Sequence, residues 1–230
     1  MNRMISAMVM LILSATSFGQ ERPMVKLDKL LSSIDTITAE INQLIVESDG
    51  GILEESQIIM HIKRPEGFYW ETVTPFPELL VTNGKRLWNY QPDLEQVIIE
   101  KWDSSRAELA AELLSGRTDS LTEEYEIFAQ SNAGENMVVF QLLPLDQNSL
   151  YRRINISFDN AALFSIHLDN KNGQKTLWQF NQPQINQQLS PDLFNFQIPP
   201  GIDIVDNLSL IHISEPTRRY AISYAVFCLK

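Results

Sequence analysis

The run IIMHIKRPEGFYWETVTPFPELLVTNGKRLWNYQPDLEQVIIEKW, residues 58–102, decides the fold. Ile58, Met60 and Ile62 share one parity, and Gln57, His61 and Lys63 take the other. Residues two apart on a strand share a face, so the apolar set points one way. Arg64 continues the apolar parity just where Pro65 ends the strand, which aims a cation over the rim of an oily surface. After the Pro65-Glu66-Gly67 turn, Phe68 and Trp70 resume the pattern. Asn83-Gly84 signals a type I′ hairpin, and Leu87, Trp88 and Tyr90 follow it. Alternation over several linked strands, with no charge cluster and no nucleophile, suits a curved sheet with one oily side.

Outward from this run the pattern repeats. Towards the N-terminus, Pro23 to about Ser33 reads as a helix, with Pro23 at its start and Leu27, Leu30 and Leu31 at helical spacing. Thr36 to Glu47 alternates as a strand, and Asp49-Gly50-Gly51 turns it back. Pro75 and Pro77 mark a bend. Asp103 to Gly116 breaks the β pattern: Ser105 and Glu108 form a capping box, apolar residues follow at helical spacing, and Gly116 is a C-cap. Five more strands lie between Glu124 and Asn181, with Asn172-Gly173 as a second type I′ signal. Ser190 to Phe194 reads as one helical turn, and Phe194, Phe196 and Ile198 lead into an extended segment. The count is about eleven strands joined by short turns, hence an antiparallel sheet.

The ends read differently. Arg3, the apolar run Met4–Leu13 and Ser17-Phe18-Gly19 make residues 1–19 a cleaved secretory signal; the apolar run is too short to span a bilayer. Leu208 to Arg218 resembles a translated sequencing adapter, which makes 208–230 a non-native tail and leaves residues 20–207 as a single domain. Setting both ends aside removes four of the 18 basic and one of the 29 acidic residues, leaving 14 and 28, a net charge of −14. So acidic a body argues against nucleic acid and anionic membrane surfaces. The only cysteine, Cys228, lies in the tail, so the body can form neither a disulfide nor a thiolate metal site.

Nothing in the body reads as catalytic. His61 and His167 sit opposite the apolar parity, on a solvated face. The adjacent pairs Glu54-Glu55 and Glu123-Glu124 fall in segments read as extended, so each pair splits across two faces. No nucleophile elbow, zinc-protease helix or phosphate loop is present. No cofactor and no metal is expected.

Three runs carry a resemblance: Lys63–Trp70 (KRP-x-x-F-x-W), Val81–Pro92 (V-x-N-G-K-x-LW-x-Y-x-P) and Phe194–Gly201 (F-x-F-x-x-P-x-G). In this order they resemble the LolA family, periplasmic carriers of outer-membrane lipoproteins. The resemblance covers roughly residues 24–206. It implies an incomplete, unclosed antiparallel β-barrel covered by short helices, monomeric and periplasmic. The absence of a cysteine after the signal favours a soluble carrier over the LolB type of receptor, which is anchored through one. The implied partners are acylated lipoproteins, an inner-membrane ABC release complex of the LolCDE kind and a LolB-like outer-membrane receptor.

Burying a methylene is worth about 0.8 kcal/mol, so two or three acyl chains exposed to water would cost on the order of tens of kcal/mol. Ile58, Met60, Ile62, Phe68, Trp70, Tyr90 and Phe140 are the candidates for the acyl-binding surface. Alternation alone leaves plain core packing equally open, because filled and hollow barrels alternate alike. The resemblance also implies a lid helix at Leu109–Leu114, where Ala110 replaces the family's proline and leaves open how the lid begins. Arg64 would hold the lid shut by donating to backbone carbonyls near Leu31, Leu114 and Ser115. A glycolipid carrier, or a lipoprotein-sensing regulator on the same scaffold, is the alternative.

Overall fold

The computed structural model describes residues 22–102, 121–131 and 136–207. The signal segment 1–19, the 208–230 tail and the helix expected over 103–116, with Ala110, Leu114 and Ser115, lie outside the described residues.

The chain begins with helix α1, Pro23–Ser32, and passes to two long strands, β1 (Thr36–Val46) and β2 (Ile52–Lys63). A meander follows: β3 (Gly67–Thr74), β4 (Glu78–Asn83), β5 (Arg86–Gln91) and β6 (Gln96–Lys101). A single helical turn, α2 (Leu121–Glu124), leads into β7 (Tyr125–Ser131). The run β8 (Met137–Pro144), β9 (Tyr151–Asp159), β10 (Ala162–Asn170) and β11 (Lys175–Ile185) completes the antiparallel set. Last comes β12, Asp203–Asp206.

Among the described residues these strands form one sheet, in the order β12-β6-β5-β4-β3-β2-β1-β11-β10-β9-β8-β7. The two ends of that order are not paired with each other, so the barrel is unclosed. β12 is one strand more than expected and runs parallel to β6, Ile204 opposite Val97. The reason is connectivity. The chain returns from β11 along the far side of the sheet, so it reaches β6 without a hairpin and is free to run parallel to it. A second difference concerns Glu123 and Glu124, which lie in the turn of α2 rather than in extended chain.

Two apolar clusters occupy opposite faces. On the inner face, Ile37, Ala39 and Ile41 of β1 meet Ile62, Met60 and Ile58 of β2 rung by rung. Phe140, Ile156, Ile166 and Trp178 extend this cluster across β8 to β11, and Leu27 and Leu31 of α1 cover it. On the outer face, Val81, Trp88, Val97 and Ile99 are covered by Phe196, Ile198 and Ile202 from the C-terminal segment. Gly67 lets that segment dock: a Cβ there would stand 2.9 Å from the Lys63 carbonyl oxygen and 3.2 Å from the Phe194 ring.

Candidate functional site

The inner face is assembled from the strand parity. Ile62 pairs with Phe68, and Met60 with Trp70, so the Arg64–Gly67 turn brings two aromatic rings onto the surface begun by β2. The two rings stack at 6.0 Å, and Trp70 meets Trp178 edge-on at 5.7 Å. Phe140 arrives from β8 and contacts Phe158 edge to face at 5.9 Å. Ile58, Met60, Ile62, Trp70 and Phe140 therefore lie in one cluster, with Phe68 packed against it. Met60 and Phe140 are 0 % exposed, so this surface is closed over.

Tyr90 does not join them. It pairs with Leu79, which stands opposite Glu71, and this parity belongs to the outer face. There Tyr90 packs on Phe196 with ring centroids 5.1 Å apart. The aromatic run Leu87-Trp88-Asn89-Tyr90 supplies bulk to both faces, and only the register shows which side each ring takes.

Arg64 sits at the rim. Its Nη2 donates to the Leu31 carbonyl oxygen at 2.5 Å and its Nη1 to that of Ser32 at 3.2 Å. Both carbonyls belong to the last turn of α1, and that of Leu31 also accepts from the Ile34 N–H at 3.1 Å. Leu31 is thus the expected partner found in contact, and Ser32 is one that the sequence did not indicate. The Arg64 backbone N–H donates to the Asp35 carbonyl oxygen at 3.0 Å, which fixes the turn under the helix end. Burial pulls the guanidinium below its ordinary pKa, against the opposing effects of Asp35 and Asp28. Its Nε is buried without a partner.

Polar residues also reach the inner face. Trp178 Nε1 donates to Gln43 Oε1 at 2.7 Å, and the Gln43 amide donates to Glu54 at 3.3 Å. Ser56 donates to Glu54 at 2.5 Å. Gln43 breaks the run Ile37-Ala39-Ile41-Gln43-Ile45, and Ser56 precedes Ile58 on the same parity; that interruption was the available signal.

The opposite face carries a recess of about 1010 Å³, lined by Thr38, His61, Phe164, Gln179 and Pro183 among others. Two irregularities shape it. β11 bulges opposite β1, with Gln182 at φ 43°, and β10 bulges at Phe164. Beside it the Thr38 hydroxyl is 2.9 Å from His61 Nδ1, and His61 stands edge-on to Tyr69, whose hydroxyl donates to Glu71 at 2.7 Å.

Comparison with known proteins follows the same outline. The model of the family described as "Outer membrane lipoprotein carrier protein LolA" matches residues 32–197. An "Outer-membrane lipoprotein carrier protein" of Hahella chejuensis is 35 % identical over 179 residues, 78 % of this chain and 86 % of that one. One of the same description from Azotobacter vinelandii is 35 % identical over 201 residues, 85 % of this chain and 96 % of that one. Among solved structures, an uncharacterized conserved protein from Thermus thermophilus shares the fold, with a TM-score of 0.51 and 10 % identity over 80 % of this chain and 96 % of that one.

Proposed function

Because this chain belongs to the LolA family of outer membrane lipoprotein carriers, a carrier family and not an enzyme family, we propose that it shields the acyl chains of lipoproteins in transit between two membranes. The observation that carries the reading is the Arg64 latch, a guanidinium on two carbonyls of the helix that covers an apolar face. The covered face offers acyl chains what water does not. Displacing α1 exposes Leu27, Leu31 and the cluster beneath them, and this needs two hydrogen bonds to break. Each hydrogen bond is worth about 1.5–3 kcal/mol with a charged donor, and acyl chains that enter beneath the helix re-cover the apolar surface it leaves, so cargo can open the cover.

On this reading the protein works in the periplasm. Cargo is handed over by an inner-membrane ABC release complex of the LolCDE kind and passed to a LolB-like receptor at the outer membrane. The chain acts as a monomer, and Ile58, Met60, Ile62, Phe68, Trp70 and Phe140 form the acyl surface. Leu114 and Ser115, outside the described residues, would complete the latch. Arg64→Leu keeps the hydrophobic bulk and removes every side-chain donor. The variant is expected to accept lipoprotein released from spheroplasts but to deliver it to receptor at a rate at least roughly tenfold lower, the value of about one such hydrogen bond. Unimpaired delivery would remove Arg64 from the mechanism. Mass spectrometry of co-purifying lipids tests the cargo: triacylated peptide anchors support this reading, and free glycolipid would replace it with a glycolipid carrier.

A further inference from the structure

The inner face changes character along the strand order. One rung runs across the sheet as Met60–Trp70–Leu80–Asn89–Ile98. On the β2 side of it the surface is apolar. Towards β6 the same face becomes mixed: Glu78 of β4 and Gln91 of β5, hydrogen-bonded at 3.3 Å, and Gln96 and Glu100 of β6 flank Leu87 and Ile98. Thr82 lies at this boundary, 0 % exposed. An amphiphile laid across the strands would find its tail on one half and its head on the other.

Two groups on that rung have no partner. Trp70 is 2 % exposed and its indole Nε1 is buried unbonded; Asn89 Oδ1 is buried unbonded as well. A buried donor or acceptor left unpaired is destabilising, so each such group in a folded protein calls for a reason. Adjacent strands lie about 4.8 Å apart, so positions two strands apart are about 10 Å apart along the rung. One is a donor, the other an acceptor, and Leu80 lies between them.

We propose that Trp70 and Asn89 read the polar junction of an acylated ligand, Trp70 Nε1–H donating to the carbonyl of an acyl ester and Asn89 Oδ1 accepting from the amide N–H of the attached peptide. The inference rests on the carrier reading and adds to it that the junction between tail and head, as well as the tail, is recognised. Pure hydrocarbon satisfies neither group. A diacylglyceryl lipopeptide satisfies both while its chains lie against Met60 and Ile58.

The test uses two dipalmitoyl lipopeptides with a fluorescent peptide end, identical except that one carries ester and the other ether linkages. Their binding to the purified protein is followed by anisotropy. The native protein is expected to prefer the ester form by roughly tenfold, the value of one buried hydrogen bond. Trp70→Phe should lose the preference and bind the ester and ether forms equally, whatever the change in its affinity for both. In the native protein the Trp70 indole proton resonance should shift downfield with the ester ligand and not with the ether, which tests the contact without any substitution. Asn89→Leu should weaken both ligands alike, since the amide is common to them. Equal affinity of the native protein for the two ligands, a preference that survives Trp70→Phe, or an unmoved indole resonance overturns the Trp70 contact, and unchanged binding by Asn89→Leu overturns that of Asn89. Binding of neither ligand by the native protein would instead strike at the carrier reading.

Discussion

Single residues decide the turns, and here they do so in ways that dipeptides conceal. Asn83-Gly84 and Asn172-Gly173 both read as type I′ signals, which require positive φ at both central residues. In each only the glycine has it, Gly84 at 83° and Gly173 at 93°. Asn83 instead uses its side chain, accepting from the Lys85 and Arg86 N–H groups. Gly173 closes a three-residue loop through its N–H to Asn170 and the Asn170 N–H to Gln174, at 3.1 and 2.9 Å. Gly50 closes the β1–β2 loop in the same manner. The pair that does carry two positive angles is Asn160-Ala161, at 48° and 65°, with no glycine to announce it. The sequence located the turns at Gly50, Gly84 and Gly173 because glycine marks left-handed backbone, but loop length and register choose the turn.

A left-handed alanine costs about 1–2 kcal/mol, partly offset in the unfolded chain when glycine replaces it. Ala161→Gly should therefore stabilise the protein by about 0.5–1 kcal/mol in urea unfolding; a lower midpoint would show that the methyl group packs usefully. The histidines make a second case at this scale. Burial lowers the pKa of His61 and of His167 below the usual histidine value, with Glu71 and Asp169 opposing it. The unfolded chain then binds protons more readily than the folded one, so stability is full above the unfolded pKa of about 6.5 and falls as pH drops through the folded values. The urea midpoint should decline as pH drops below about 6.5, and His61→Gln should flatten that slope. A slope unchanged in His61→Gln would place the proton uptake elsewhere.

At the scale of elements, α1 and the strands beneath it differ in how they are held. The helix has ten residues, no side-chain N-cap hydrogen bond at Arg22 and no acidic residue in its first turn. Helices this short are marginal on their own, so α1 depends on Leu27 and Leu31 below it and Arg64 at its end. The long ladder of β1 and β2 needs no such help, since Thr36 to Val46 pairs on both sides with β2 and β11. Amide hydrogen exchange should find α1 less protected than β1 by a factor of roughly 100 or more, a difference of about 3 kcal/mol in opening. Arg64→Leu should lower α1 protection further and leave β1 unchanged. Equal loss in both would mean that the latch supports the whole fold and does not govern the cover. The periodicity of α1 and the aim of Arg64 were both legible in the sequence. Ser32 was not, because a helix offers several terminal carbonyls and only the docking angle selects among them.

At the scale of the molecule, one sheet carries two apolar cores on opposite faces. The inner core lies under α1 and faces the proposed cargo; the outer core lies under the C-terminal segment and holds β4, β5 and β6 together. The sequence made the alternation plain but not this division, since Tyr90, Trp88 and Leu87 are equally greasy and only strand pairing assigns them to faces. It also missed β12, four exposed residues whose pairing with β6 follows from where the chain comes to lie. A carrier whose inner face must open benefits from an outer face that stays shut. Phe196 is the test of that arrangement, because it covers Tyr90 and packs in the outer cluster. Phe196→Ala should cost about 2 kcal/mol of stability, less than a fully buried ring because Phe196 is half-buried. The loss should appear as faster exchange in β4 to β6, with α1 protection and lipopeptide affinity unchanged. If α1 loosens by the same amount, the two cores are one cooperative unit, and opening for cargo must strain the whole sheet.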